Sequence, residues 1–153
     1  MAVSILVSAC LLGTRCRYDG SHKLHEKVSA LRRNPNVKLI PICPEVLGGL
    51  TIPHEPSEQK EGRVISRDGR DVTEKFILGA QKALEIATRH DCRYAILKER
   101  SPSCGKGEIY DGSFTGKLVP GNGVSAALLM QHGVKVYGES ELDELIAELG
   151  LSV

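Results

Sequence analysis

The sequence predicts a small single-domain α/β fold of Rossmann-like layers, a four-stranded, mainly parallel sheet with helices on both faces. Three observations carry this expectation. Short apolar, β-branched runs, of the kind that suits strands buried on both faces, alternate with segments of helical periodicity. Such alternation implies right-handed crossovers. The 153 residues, 41% of them hydrophobic, bury one sizeable core, so one domain over residues 1–153 is expected.

The elements follow in order. Val3 to Val7 is the first strand run, and Leu24, Val28 and Leu31 recur at helical spacing behind Ser21, the expected N-cap. Val37 to Ile42 is the second strand. After Asp71, Val72, Phe76, Ala80, Leu84 and Ala87 share one helical face, with Glu74 placed to complete a capping box. Tyr94 to Leu97 is the third strand. A helix over Val124 to His132 stops at Gly133, and Val134 to Tyr137 is a weaker fourth strand. Ser140 with Asp143 opens a last helix, whose stripe of Leu142, Leu145, Ile146 and Leu149 ends at Gly150. Gly49 to Asp71 and Ser101 to Gly121 stand outside the alternation, rich in Pro, Gly and Ser, with turn signals at Asp68-Gly69 and Asp111-Gly112. Compact domains rarely keep loops this long without a purpose, so an active-site role is expected over a surface insertion.

Composition narrows the function. Twenty Lys and Arg stand against 19 Asp and Glu with no charged block, and aromatic residues make up 4% with no Trp. Neither an electrostatic footprint for nucleic acid nor a base-stacking platform is supplied. No apolar run approaches the roughly 20 residues that span a bilayer, and Met1 to Cys10 carries no basic leader, so a cytoplasmic protein with no membrane partner is expected. Five Cys is an odd count in a chain too large to need disulfide stapling, which leaves thiols or metal ligands.

In an open parallel sheet, ligands bind beyond the carboxyl ends of the strands, near the point where strand order reverses. Cys10 follows the first strand, Cys43 the second, and Cys104 lies in the loop after the third. With strand order 2-1-3-4 these strands are neighbours about 4.8 Å apart, so their ends lie within roughly 10 Å and three thiolates can meet at one inorganic centre. No Cys-x-x-Cys pair marks a local zinc or ferredoxin site. The signal is positional, and each cysteine alone reads equally well as core packing. Cys92, past the far end of the second helix, reads as structural. Cys16, between Arg15 and Arg17, is compatible with either role. The hydroxyls and flexible backbone around Cys104, from Ser101 to Gly107, suit the presentation of N–H donors to sulfides or a bound anion. Glu45, two residues past Cys43, is a candidate general base or a capping carboxylate in the Pro44 to Gly48 turn. Lys98 and Glu99 read as an ion-paired strand end. His22, His25, His54, His90 and His132 are scattered and do not indicate a zinc site.

Six segments considered together, Ser8-Ala9-Cys10-Leu11-Leu12-Gly13, Cys16-Arg17-Tyr18-Asp19-Gly20, Cys43 to Leu50, Asp71-Val72-Thr73, Lys98 to Gly105 and Ile109-Tyr110-Asp111-Gly112, resemble the thiouracil desulfidase family, a short bacterial family formerly labelled a domain of unknown function. The resemblance runs over nearly the whole chain. It implies an oxygen-sensitive 4Fe-4S cluster held by Cys10, Cys43 and Cys104, with a fourth iron that has no protein ligand and takes the sulfur of a thiocarbonyl substrate. It further implies that iron acts as a Lewis acid for sulfur, that water attacks the ring carbon, and that uracil and sulfide leave without net redox. The expected partner is a small thiolated pyrimidine or related thioamide. Glu45 matches the family's acid/base residue and Ser101 a residue near substrate, with Ser8, Arg100 and Ser103 expected around them. His54 follows Pro53 where the family pattern leads one to expect Arg. Two other classes compete: an iron-sulfur carrier or sensor without catalysis, which has no need of Glu45, and a thiol-based redox protein using Cys10 and Cys16, which has no need of Cys43 or Cys104.

Overall fold

A computed structural model describes residues 2–151. Met1, Ser152 and Val153, included in the domain expected from sequence, lie outside the described residues. The chain runs β1 (Val3–Ser8), a 3-10 turn (Ala9–Leu12), α1 (Glu26–Ala30) with a 3-10 extension (Leu31–Arg33), β2 (Val37–Ile42) and α2 (Pro44–Leu47). It continues with β3 (Ser57–Lys60), β4 (Arg63–Ser66), α3 (Thr73–Arg89), β5 (Tyr94–Leu97), β6 (Glu108–Tyr110), β7 (Leu118–Pro120) and α4 (Val124–Gln131). β8 (Lys135–Gly138), a 3-10 turn (Glu139–Glu141) and α5 (Leu142–Leu149) complete it.

Four strands form one sheet in the order β2-β1-β5-β8, every pair parallel. Among the sheet's own strands this is the order 2-1-3-4, the one under which the three strand ends bearing cysteines are neighbours. Side chains alternate across a strand, so β1 divides its apolar residues between two layers. Ile5 and Val7 join Ile96 against Val28 of α1 and Leu142, Leu145 and Ile146 of α5. Leu6 joins Ile40, Ala95 and Leu97 against Ala83 and Ala87 of α3 and Ala126 and Leu129 of α4. Helices therefore cover both faces, and the central strands are sealed from water, as their continuous apolar runs require.

Three helix starts differ from the sequence reading. Ser21 does not cap α1. The Lys23 and His25 N–H groups donate to the carbonyls of Cys10 (2.9 Å) and Leu11 (2.8 Å), which pins this segment to the turn after β1 and delays the helix to Glu26. His25 is the N-cap, its Nδ1 accepting from the Val28 N–H at 3.3 Å, and Leu24 is left 48% exposed. At α3 no capping box with Glu74 forms, because Asp71 Oδ1 accepts from the Thr73 N–H (3.0 Å) and hydroxyl (2.6 Å). Thr73 Oγ1 in turn accepts from the Val64 N–H at 2.8 Å, tying the helix start to β4. Leu84 is half-buried, and Gly79 and Ala83 complete the buried face of α3. At α5, Ser140 donates its hydroxyl to Glu99 Oε2 (2.5 Å) instead of capping the helix.

The two long stretches outside the alternation each fold into an antiparallel hairpin, β3–β4 and β6–β7. Strands this short and polar, such as Ser57-Glu58-Gln59-Lys60, carry no apolar alternation from which to read them. The β3–β4 turn is Glu61-Gly62, both at positive φ (50° and 77°), the geometry that matches strand twist in a two-residue hairpin. Asp68-Gly69 lies beyond β4, whereas Asp111-Gly112 does lie in the β6–β7 connection. Among the described residues, no helix is long and apolar enough to cross a membrane.

Candidate active site

The carboxyl ends of β1, β2 and β5 open into one cleft of about 550 Å³, roofed by residues of the two hairpins. Each strand end delivers a cysteine to it. Cys10 sits in the 3-10 turn after β1, closed by Gly13 at φ 94°, whose N–H donates to the Cys10 carbonyl at 3.3 Å. Cys43 is the N-cap of α2, with Pro44 as the first helical residue. Cys104 follows β5 in a loop shaped by Ser101, whose Oγ accepts from the N–H groups of Ser103 (3.1 Å) and Cys104 (3.0 Å). That loop lies directly on Gly123. A Cβ there would stand 2.4 Å from the Ser103 carbonyl oxygen and 2.7 Å from the Cys104 nitrogen, so only glycine admits the approach. Cys16 also lines the cleft, and the Cys43 thiol donates to its carbonyl at 3.5 Å. Cys92 lies away from the cleft, buried in the layer of α3 and α4.

All five cysteines are free thiols. Burial pushes Cys10 up to about 11, with the neighbouring Cys43 adding to the effect, and pushes the fully enclosed Cys104 up to about 12. Cys43 moves the other way, to about 7. The hydrogen bond from the Cys16 thiol favours its thiolate, and the Val46 and Glu45 N–H groups at the start of α2 assist against burial. Cys16 is pushed up, first by that same bond and then by burial. The closest thiol partner of Cys16 is thus Cys43, not the Cys10 that a dithiol redox reading pairs with it.

The remaining site candidates fall into distinct places. Ser8 Oγ accepts from the Lys98 N–H at 2.9 Å and hydrogen-bonds the Cys104 thiol, joining the ends of β1 and β5. Glu45, on the first turn of α2, lines the cleft, with Oε1 3.0 Å from Nε2 of His54. This bond raises the His54 imidazole above its ordinary range, against the opposing effect of burial. Arg100 lines the cleft from a left-handed backbone position (φ 69°), and Ser101 lies beside it. Ser103 does not line the cleft: it is buried, and its hydroxyl pairs with that of Ser125 at 2.9 Å. Of the ion-paired strand end expected from sequence, Lys98 is paired, with Glu139 at 2.8 Å, whereas Glu99 is hydrogen-bonded instead, accepting from the Ser140 N–H and hydroxyl. The N–H groups expected to face a bound anion are partly spent within the loop, Gly105 on the Ser101 carbonyl (2.9 Å) and Gly107 on Asn122 Oδ1 (2.9 Å).

Sequence reasoning missed the hairpin contribution. Glu58 is buried, and its Oε1 accepts from the N–H groups of Gly112 (3.0 Å) and Phe114 (3.1 Å). Gln59 Nε2 donates to the carbonyls of Pro102 (3.0 Å) and Asn122 (2.9 Å). These bonds lay both hairpins over the Cys104 loop and bring Tyr110 and Phe114 to the cleft. The one available signal was the excess length of the two connections.

Among the described residues no group of three His, Cys, Asp or Glu converges on a single ion. The donor set suits a larger centre, with Cys10, Cys43 and Cys104 distributed around one cleft. Thiolates are the ligands of iron-sulfur clusters, whose four irons spread their ligands more widely than one ion does.

Fold and cleft define a class: an α/β protein built on one four-stranded parallel sheet, with a cysteine-lined pocket where the strand order of that sheet reverses. The chain belongs to the 2-thiouracil desulfurase family, which it matches over residues 5–141. It is 44% identical over 152 residues to the uncharacterized protein YbbK of Bacillus subtilis (strain 168), covering 93% of this chain and 99% of that one. It also superimposes, with a TM-score of 0.90 and 43% identity over 98% of this chain and 99% of the other, on the [4Fe-4S]-dependent thiouracil desulfidase TudS.

Proposed function

We propose that this protein is an iron-sulfur-dependent desulfidase that removes sulfur from a thiocarbonyl substrate such as 2-thiouracil by hydrolytic, non-redox C–S cleavage. Water supplies the oxygen of the new carbonyl, and the products are uracil and sulfide. The observation that carries this reading is the convergence of Cys10, Cys43 and Cys104 on one cleft with a carboxylate, Glu45, on its wall. The similarity to TudS supports it. Cys10, Cys43 and Cys104 would hold the 4Fe-4S cluster, which when bound would supply Lewis-acid activation of the substrate sulfur. Metal binding requires the thiols to lose their protons, and the low position of Cys43 makes it the first to do so.

Glu45 takes a proton from the attacking water and returns it to the leaving sulfur. Ser101 keeps its hydroxyl hydrogen for the substrate, because its oxygen accepts from two backbone N–H groups. Arg100 is exposed and lines the cleft, where its guanidinium is available to an acceptor oxygen of the substrate. A carrier or sensor gives no role to Glu45, and a dithiol pair of Cys10 and Cys16 gives none to Cys104. The balanced charge and the absence of a membrane-crossing helix among the described residues fit a cytoplasmic enzyme.

Anaerobic reconstitution followed by measurement of sulfide release from 2-thiouracil tests the reading. Brown protein holding about four irons per chain and releasing sulfide and uracil one for one is expected. A loaded protein that leaves thiouracil intact would overturn it.

A further inference from the structure

We propose that His54 is a positioning residue that holds the Glu45 carboxylate in its working orientation, an inference that rests on the reading of Glu45 given above. The imidazole is fixed before it meets the carboxylate. The His54 backbone N–H donates to the Tyr18 carbonyl at 2.7 Å, which moors the residue to the segment that follows Cys16. Nδ1 lies 2.7 Å from the Glu55 carbonyl oxygen. A carbonyl only accepts, so Nδ1 carries a hydrogen and the ring cannot turn over without losing that bond. Nε2 is thereby directed at Glu45 Oε1, 3.0 Å away, and because Nδ1 already bears a hydrogen, Nε2 donates to the carboxylate in the doubly protonated ring, the form that Glu45 itself favours. Pro53 and Pro56 on either side stiffen the segment.

The carboxylate is held at one end only. Among the described residues Glu45 Oε2 has no hydrogen-bond or ion-pair partner, while Glu45 lines the cleft and its side chain is 20% exposed. A free glutamate samples many rotamers. With Oε1 on the imidazole, the second oxygen is left in a defined place for the water it must deprotonate, and proton transfer requires that geometry before it requires basicity. His54 itself is only 11% exposed and is absent from the cleft lining, so it acts through Glu45.

Two substitutions separate positioning from general support of the loop. His54→Gln places an amide nitrogen where Nε2 stood and keeps the bond to Glu45. His54→Asn places its amide nitrogen near Nδ1, keeping the bond to the Glu55 carbonyl and losing Glu45. In reconstituted enzyme, His54→Asn is expected to lower kcat on 2-thiouracil by about 10- to 100-fold, with KM within about threefold and iron content unchanged, and His54→Gln to restore kcat to within about threefold. Equal activity of the two variants, or a loss confined to KM or to iron content, overturns the inference. A second readout is independent of turnover. In the cluster-free full chain the imidazole ¹⁵N spectrum should show Nδ1 of His54 protonated, and Glu45→Gln should shift the His54 Nε2 resonance while leaving the other histidines in place. An unmoved resonance overturns the inference as well. Glu45→Gln assayed alongside separates the two readings: full activity removes Glu45 as the base and this proposal with it, whereas an inactive Glu45→Gln beside a fully active His54→Asn removes the positioning role alone.

Discussion

Gly79→Ala sets two physical effects against each other with opposite signs. Gly79 lies in the middle of α3, where alanine is intrinsically better by about 0.8–1.0 kcal/mol, so propensity alone predicts a more stable protein. Packing predicts the reverse. A Cβ on Gly79 would stand 2.0 Å from the carbonyl oxygen of Pro44 and 2.8 Å from its carbon, and one on Gly48 would stand 2.0 Å from the Lys75 carbonyl oxygen. The two glycines mark the line where α2 crosses α3 backbone to backbone, so no rotamer change relieves the clash. Ordinary contact begins near 3.4 Å, and α2 must therefore retreat by more than an ångström. Overpacking of this kind costs typically 1–3 kcal/mol. Set against the propensity gain, this leaves a net loss of up to about 2 kcal/mol, which in a domain of this size lowers Tm by up to roughly 8 °C. The measurement belongs on cluster-free protein, because bound metal adds its own stabilisation. Since α2 begins at Cys43 and carries Glu45, the retreat should also reduce the iron retained after reconstitution. A Tm raised by Gly79→Ala would refute the reasoning and show that α2 yields at no cost.

Other outcomes follow from single residues. Cys10→Ala, Cys43→Ala and Cys104→Ala should each abolish iron loading and Cys92→Ala should leave it intact, while Cys16→Ala should load and lose its cluster at an altered rate; iron and sulfide analysis of anaerobic samples decides, and normal loading in any of the first three removes that residue from the ligand set. Glu45→Gln should retain iron and thiouracil binding while losing about 10²- to 10⁴-fold in sulfide release, the range that proton transfer supplies. Phe76, buried in α3 at 1% exposure, should cost about 3–5 kcal/mol when cut to Ala, read as a fall in the urea midpoint at constant m. Asp71 is held down to about 2, chiefly by the Thr73 hydroxyl and then by Arg63. Because the folded pKa is below the unfolded value of about 3.9, its contribution is present above pH 4 and fades as pH falls toward 2, so the Tm difference between wild type and Asp71→Asn should shrink over that interval.

How much was legible in the sequence depends on the range of the interaction that fixes each feature. Val3 to Val7 and Tyr94 to Leu97 declare themselves as buried strands because a strand covered on both faces needs apolar side chains at nearly every position, and the edge strand Val37 to Ile42 keeps enough of that run to be read although Lys38 and Pro41 are exposed. The last two helix stops declare themselves because Gly133 (φ 87°) and Gly150 (φ 64°) occupy a backbone region that favours glycine. From these local facts the parallel sheet follows by the rules of short right-handed connection, while the order that makes the ends bearing Cys10, Cys43 and Cys104 neighbours is shown by the tertiary structure. Tertiary structure decided the features that depend on partners distant in the chain. The start of α1 is set by the Cys10 and Leu11 carbonyls, that of α3 by Val64, and the two hairpins by Glu58 and Gln59 reaching across to residues 102–122. The pairing of Cys16 with Cys43 and of His54 with Glu45 belongs to the same group. Hydrogen bonds between groups dozens of residues apart leave no periodicity in the chain, because their geometry exists only once the apolar layers have closed.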